Sequence, residues 1–231
     1  MCGRVALFSP PRRLARLLAV GLGEDVAEAS PHWNVGPAQT LFAAADTPQG
    51  RLLGRYRWGL TPRWSGARQV LFNARAETVA DKPSFRAAFR DHPAVIPVDG
   101  FYEWDHRPAS AREPHYFHRT DAQPLLLAGL VDPTGPDGPA CAVITTTPSD
   151  DLDGLHDRMP VILELGDVAG WLAPGDPGRA IRTTLLRPAA RGTLVHHRVG
   201  AAVGSMRHDD ASLIEPLSPP LFSPGMAEDP E

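Results

Sequence analysis

The apolar runs in this chain are short, and that most limits what it can fold into. Val5-Ala6-Leu7-Phe8, Thr40 to Ala45, Leu52 to Trp58, His115 to Arg119, Leu125 to Val131, Ala140 to Thr146, Val161 to Glu164 and Thr193 to Val199 each read as strands of a few residues. Val95 to Trp104 reads as a strand pair, or as one strand bent around Pro97 and Gly100. Helical patterns are fewer. Pro10 and Pro11 after Ser9 signal a helix start; Leu14, Leu17 and Leu18 then share a face, and Gly21 and Gly23 end it. Ser84 to Arg90 sets Phe85 and Phe89 at i,i+4, and short helices are predicted near Asp167–Leu172 and Arg179–Leu186. Pro31 to Gln39 reads as a loop, because Asn34, Gly36 and Pro37 break any period. Many short strands with few helices predict an α+β single domain around a curved, largely antiparallel β-sheet or pseudo-barrel, with flanking short helices. Residues 1–215 would form that domain; 216–231, rich in Pro, Ser and acids, reads as a flexible C-terminal tail.

Several classes are set aside by composition. At 231 residues the chain is long enough to bury a core. Its two cysteines, Cys2 and Cys141, are too few for a disulfide framework and lack ligand spacing, and its nine His are scattered, so neither a metal nor another cofactor is expected. No apolar run approaches ~18 residues, so no membrane span is expected. Arg12 and Arg13 interrupt before a signal peptide could develop, and a reducing, cytoplasmic location and a monomer are the default expectations. The net charge of −4 is unevenly spread. From Leu17 to Gly50 there are acids but no Lys or Arg; Arg51, Arg55, Arg57, Arg63, Arg68 and Arg75 follow with no acid among them. Tyr56, Trp58, Trp64 and Phe72 are interleaved with those Arg residues. Guanidiniums and exposed rings suit single-stranded nucleic acid, and the same pattern fits a solvated strand–loop–strand with its Trp residues in the core.

The residue with the most unusual chemistry is Cys2. Removal of Met1, expected before a small residue, gives Cys2 a free α-amine beside its thiol, with reference pKa values of about 7.7–8.0 and about 8.5. Such a 1,2-aminothiol condenses with an aldehyde to an imine, and the sulfur then closes a thiazolidine. An internal cysteine cannot do this, because its nitrogen is acylated. A small apolar residue opening a strand fits the same position. Glu103 lies in Phe101-Tyr102-Glu103-Trp104, and strand alternation puts it on the face of Phe101. Burial there would raise its pKa toward a useful acid/base, whereas an edge strand would leave it in solvent. His156, ahead of Asp157-Arg158-Met159-Pro160, can shuttle protons or sit in a surface loop. Asn73 could orient a substrate oxygen or the Cys2 amine, or simply cap a turn. Arg4, Arg75 and Arg158 adjoin these residues and offer forks to phosphate.

Taken in order, Met1-Cys2-Gly3-Arg4, Asn34-Val35-Gly36-Pro37-Ala38-Gln39, Trp58-Gly59-Leu60-Thr61-Pro62-Arg63-Trp64, Asn73-Ala74-Arg75-Ala76-Glu77, Ile96 to Trp104, Thr145-Thr146 and His156-Asp157-Arg158-Met159-Pro160 resemble the SOS-response-associated peptidase (SRAP) family of abasic-site processing proteins. The resemblance covers most of the chain. Trp33 and Gly36 stand where that family usually shows Tyr and Ala, and Val203-Gly204-Ser205 where it shows a Val-Asn pattern. It implies a groove for single-stranded DNA containing abasic sites, and attack by Cys2 on the ring-opened aldehyde to give a thiazolidine DNA–protein crosslink. It implies catalytic roles for Cys2, Asn73, Glu103 and His156, and DNA contacts from Arg4, Trp64, Arg75, Arg158 and Thr145. An accompanying lyase activity would share the imine. Two other readings stay open: a thiol autopeptidase using Cys2, although only Met1 precedes it to be cut, and a non-catalytic single-strand binder.

Overall fold

The first strand of the chain lies in the interior of a sheet, and that placement brings the amino-terminal residues to the centre of the molecule. The computed structural model describes residues 2–62, 69–105, 112–152 and 154–217. In chain order the elements are β1 (Val5–Leu7), α1 (Pro11–Leu18), β2 (Gly21–Leu22), β3 (His32–Val35), β4 (Thr40–Thr47), β5 (Gly50–Trp58), β6 (Asn73–Arg75), α2 (Arg86–Asp91), β7 (Pro93–Val98), β8 (Gly100–Trp104), β9 (Pro114–Arg119), β10 (Leu125–Asp132), β11 (Ala140–Thr146), β12 (Met159–Pro160), β13 (Ile162–Leu163), α3 (Val168–Trp171), α4 (Gly175–Leu185) and β14 (Leu194–Arg198).

Two sheets result. One runs β14-β9-β8-β1-β3; the other runs β12-β11-β10-β7-β4-β5-β2, with β13 on β10 and β6 on β11. Pairing is largely antiparallel. The larger sheet curls far enough for β11 to touch β5 in parallel at Ala140↔Arg57 and Cys141↔Trp58, a pseudo-barrel rather than a closed barrel. Strands β7 and β11 are buried along their whole length, which is why they read as near-continuous apolar runs, with Thr145 and Thr146 closing β11, instead of alternating. Helices α2 and α3 cover this sheet: Phe89 and Trp171 meet edge to face at 6.2 Å, and Trp171 Nε1 donates to Ala94 O at 2.8 Å.

Short alternating strands with few helices therefore do specify the fold class. Two local readings are corrected. Residues 31–39 contain strand β3, because β1 offers it a pairing edge that no local pattern in 31–39 reveals. The Arg-and-aromatic stretch is not an exposed track in its first half: Tyr56 and Trp58 are core residues, Arg51 pairs with Asp46, and Arg57 pairs with Asp137. Trp64, Arg63 and Arg68 lie outside the described residues, as does the tail from 218.

Val95 to Trp104 splits between the sheets at Asp99. The Asp99 carboxylate accepts the backbone N–H of Phe8 at 2.6 Å and of Ser9 at 2.7 Å, and also the Ser9 hydroxyl. The Asp99 N–H donates to Ala6 O. One turn residue thus fastens the end of β1 to the joint between the two sheets. Gly100 follows because a Cβ there would lie 2.4 Å from the Tyr116 ring. Asp99→Ala is expected to cost about 2–3 kcal/mol, since it leaves two partly buried backbone donors without partners. Urea unfolding monitored by Trp fluorescence measures it, and a loss below about 0.5 kcal/mol would show that Asp99 does not anchor the strand.

Candidate active site around Cys2

Cys2, the second residue of the sequence and three before β1, is fully buried. Three segments converge on it. Asn73, the first residue of β6, donates from Nδ2 to Cys2 O at 2.7 Å. Its Oδ1 is buried and accepts no hydrogen bond among the described residues, an acceptor beside Cys2. On the other side β1 pairs with β8 at Val5↔Phe101, a register that carries Gly3 opposite Glu103; both residues line one cleft of about 530 Å3 with Trp104, Arg112 and His156. A second open cleft, of about 630 Å3, is lined by Asn73, Arg75, Thr78, Lys82 and Phe85.

Glu103 is 3% exposed, and its Oε2 lies 3.6 Å from His156 Nε2. Burial pushes its carboxyl up to about 7. The face shared with Phe101 is therefore the buried one. The His156 ring is oriented by the backbone: the Arg158 N–H donates to His156 Nδ1 at 2.9 Å. The Arg158 carbonyl oxygen also lies 3.1 Å from the same Nδ1, so this nitrogen has both a backbone donor and a backbone acceptor beside it, while Nε2 is turned toward Glu103. On protonation the same Nδ1 has the Asp157 carboxylate at 3.0 Å. The surface-loop reading of His156 is excluded, since the residue is buried. At Cys2, burial is the main effect and pushes the thiol up; the Glu103 charge adds to this, and a hydrogen bond from the Arg4 N–H opposes it. A buried acid near neutrality therefore sits beside a sulfur that needs somewhere to pass its proton.

The arginines differ in what holds them. Arg4 Nη1 donates to Asn34 Oδ1 and to Val203 O, both at 2.6 Å, and the guanidinium lies 6.0 Å over the Trp104 ring. Both of these hydrogen-bond acceptors are uncharged, and among the described residues no carboxylate pairs with the cation. Gly36 leaves room for this arrangement: a Cβ there would come within 2.6 Å of Met206 Sδ and 3.4 Å of Arg4 Nε. Arg75 is exposed in the second cleft. Arg158 is bound by a carboxylate, donating to Glu77 Oε1 at 2.6 Å and Oε2 at 3.0 Å and to Thr145 O at 2.6 Å. Thr145 is fully buried; its carbonyl accepts from Arg158 and from the Ala76 N–H, and its hydroxyl faces Ala74 O. Asn34, Glu77 and Asp99 are residues whose roles the sequence did not disclose; each lies inside a recognised motif, and that is their only signal. Among the described residues no group of three or more His, Cys, Asp or Glu is placed to hold a metal ion, and no helix is long and apolar enough to cross a membrane.

Comparison with known proteins gives the family and the fold. Residues 1–206 match the family described as SOS response associated peptidase (SRAP). A Bacillus subtilis (strain 168) protein named abasic site processing protein YoqW is 32% identical over 222 residues, covering 93% of this chain and 99% of its own. The Escherichia coli (strain K12) protein named abasic site processing protein YedK is 26% identical, with 94% and 100% covered. A crystal structure of a Bacteroides thetaiotaomicron protein superposes with a TM-score of 0.80 at 22% identity, over 94% of this chain and 100% of that one, and shares the fold.

Proposed function

The chain belongs to the SOS response associated peptidase (SRAP) family, and from that premise we propose that it processes abasic sites in single-stranded DNA by forming a thiazolidine crosslink through Cys2. The observation that carries the reading is the convergence on one N-terminal cysteine of an amide acceptor, Asn73 Oδ1, and a buried carboxyl with a pKa near neutrality, Glu103.

The abasic sugar is mainly a closed hemiacetal. His156 donates a proton to the ring oxygen as the ring opens. The Cys2 amine, freed by removal of Met1, adds to the C1′ aldehyde and gives a carbinolamine. Glu103 protonates the departing hydroxyl; water leaves and an imine remains. The Cys2 sulfur attacks the imine carbon, its proton passes to Glu103, and the nitrogen is protonated as the five-membered ring closes. The net change is one C–N and one C–S bond formed and one water lost. Asn73 Oδ1 is placed to accept from the amine or a sugar hydroxyl. Holding aminothiol and aldehyde together is worth several kcal/mol over their free encounter. Arg4 and Arg75 supply charge for the phosphates on either side, and both clefts are open enough to admit an unpaired strand. The same imine allows β-elimination at the 3′ side, so strand cleavage competes with ring closure.

Incubation with an oligonucleotide carrying one abasic site is expected to give a heat-stable adduct on a denaturing gel. Its intact mass should equal the Met1-free protein plus the oligonucleotide less one water. An undamaged oligonucleotide should give none. If Met1-free protein gives no adduct, the reading is wrong.

A further inference from the structure

We infer that Met206 is a reversible oxidation site that sets how Arg4 meets DNA; the consequence for DNA rests on the function proposed above, whereas the contact between the two side chains does not. The segment that carries Met206 is fastened to β3. It follows a short 3-10 helix, Ala201–Gly204. The carbonyls of Ser205 and His208, on either side of Met206, both accept from Asn34 Nδ2, at 3.0 and 2.7 Å. Asn34 Oδ1 in turn accepts from Arg4 Nη1, and so does Val203 O. One buried amide therefore fixes both the methionine and the arginine.

The two side chains meet at Gly36. A Cβ there would lie 2.6 Å from Met206 Sδ and 3.4 Å from Arg4 Nε, so both atoms border one small space that glycine leaves open. Arg4 uses Nη1 twice, but its Nε is buried without a hydrogen-bond partner among the described residues. A thioether is a weak acceptor and leaves that donor unsatisfied. A sulfoxide oxygen is polar and accepts well. Met206 is 48% exposed, whereas Met159 is fully buried, so an oxidant in solvent reaches the first and not the second. Hydrogen peroxide transfers one oxygen to Sδ: the O–O bond breaks, an S–O bond forms, sulfur loses two electrons and the peroxide leaves as water. The new oxygen takes the Arg4 Nε–H. It lays the negative end of a dipole against the guanidinium and competes with a phosphate for the same cation. Methionine sulfoxide reductases return the thioether and release Arg4.

The test uses the full chain carrying Cys2→Ala, so that neither crosslinking nor oxidation of Cys2 enters. After limited hydrogen peroxide, peptide masses should show one added oxygen at Met206 while Met159 stays reduced. Affinity for a single-stranded oligonucleotide should fall about 3–10-fold, the loss expected when one charge-assisted contact is weakened. Treatment with methionine sulfoxide reductases should restore it. Met206→Leu should bind like the untreated protein before and after peroxide. Gly36→Ala, whose Cβ displaces the flexible thioether, should still be oxidised at residue 206 yet lose little affinity on oxidation. Independently of DNA, 15N spectra should show the Arg4 Nε–H signal moved in the oxidised protein and unmoved in peroxide-treated Met206→Leu. Preferential oxidation of Met159, an equal loss of affinity in Met206→Leu, or an unmoved Nε–H signal in the oxidised protein would each overturn the inference. If the untreated protein does not bind single-stranded DNA, the proposed function fails instead, and the Nε–H signal still decides the contact.

Discussion

Cys2→Ala is expected to abolish the covalent adduct and to leave most of the non-covalent binding of single-stranded DNA. The alanine variant keeps an α-amine, so it can still form an imine with the opened sugar; what it loses is the sulfur that closes the ring. Borohydride should therefore trap an adduct from Cys2→Ala that is absent after heating without reductant. Cys2→Ser should behave in the same way, because a hydroxyl is the weaker nucleophile toward the imine. The cations that would hold DNA, Arg4 and Arg75, do not depend on the sulfur: Arg4 is fixed by Asn34 and Val203, and Arg75 is exposed on β6. Gel mobility with and without reductant, beside filter binding to undamaged DNA, reads both halves. An undiminished heat-stable adduct from Cys2→Ala would show that another nucleophile does the work; loss of all binding would show that Cys2 is mainly structural.

Glu103→Gln carries the second large effect, and it has opposite signs for catalysis and stability. An amide of the same shape cannot take the proton that leaves sulfur or return one to the carbinolamine oxygen. General acid–base groups contribute about 10²–10⁴ in rate, and a fall of about that size in crosslinking is expected. The wild-type rate should change through pH ~7 as Glu103 titrates, and that inflection should vanish in the variant. The stability sign follows from the direction of the shift. The folded-state pKa is raised, so the folded protein holds this proton more tightly than the unfolded chain does. Relative stability is complete below the ordinary carboxyl value and is lost as pH rises through about 7, where the charged carboxylate must stay buried. From the ordinary 4.5 to about 7 the change is worth about 3 kcal/mol. Glu103→Gln should therefore be more stable than wild type at pH 8 and gain little at pH 4. Equal effects at both pH values would show that the carboxyl is not shifted by burial.

Much of this molecule was legible in the order of its residues. The strands at Ala140 to Thr146 and Leu125 to Val131 announced themselves because each is apolar and buried by its own sheet, so local pattern and tertiary environment agree. Glu103 was legible for the same reason: alternation places it on the Phe101 face whatever the rest of the chain does. The residues with chemical capacity, Cys2, Asn73, Glu103 and His156, could be named from type and motif, and the structure brings them together.

What the chain order could not disclose is charge state and accessibility, because partners far apart in sequence decide both. Arg4 and Arg158 look alike as residues beside a motif. Arg4 is held by neutral groups, one of them 199 residues away; Arg158 is matched by the carboxylate of Glu77, 81 residues away. Thr145 could not be told from a surface contact until β6 and β12 closed around it. Trp58 could not be told from a base-stacking ring until β11 met β5. A residue's type determines which bonds it can make, whereas burial and the competing donors around it determine which of them it does make, and those depend on the whole fold.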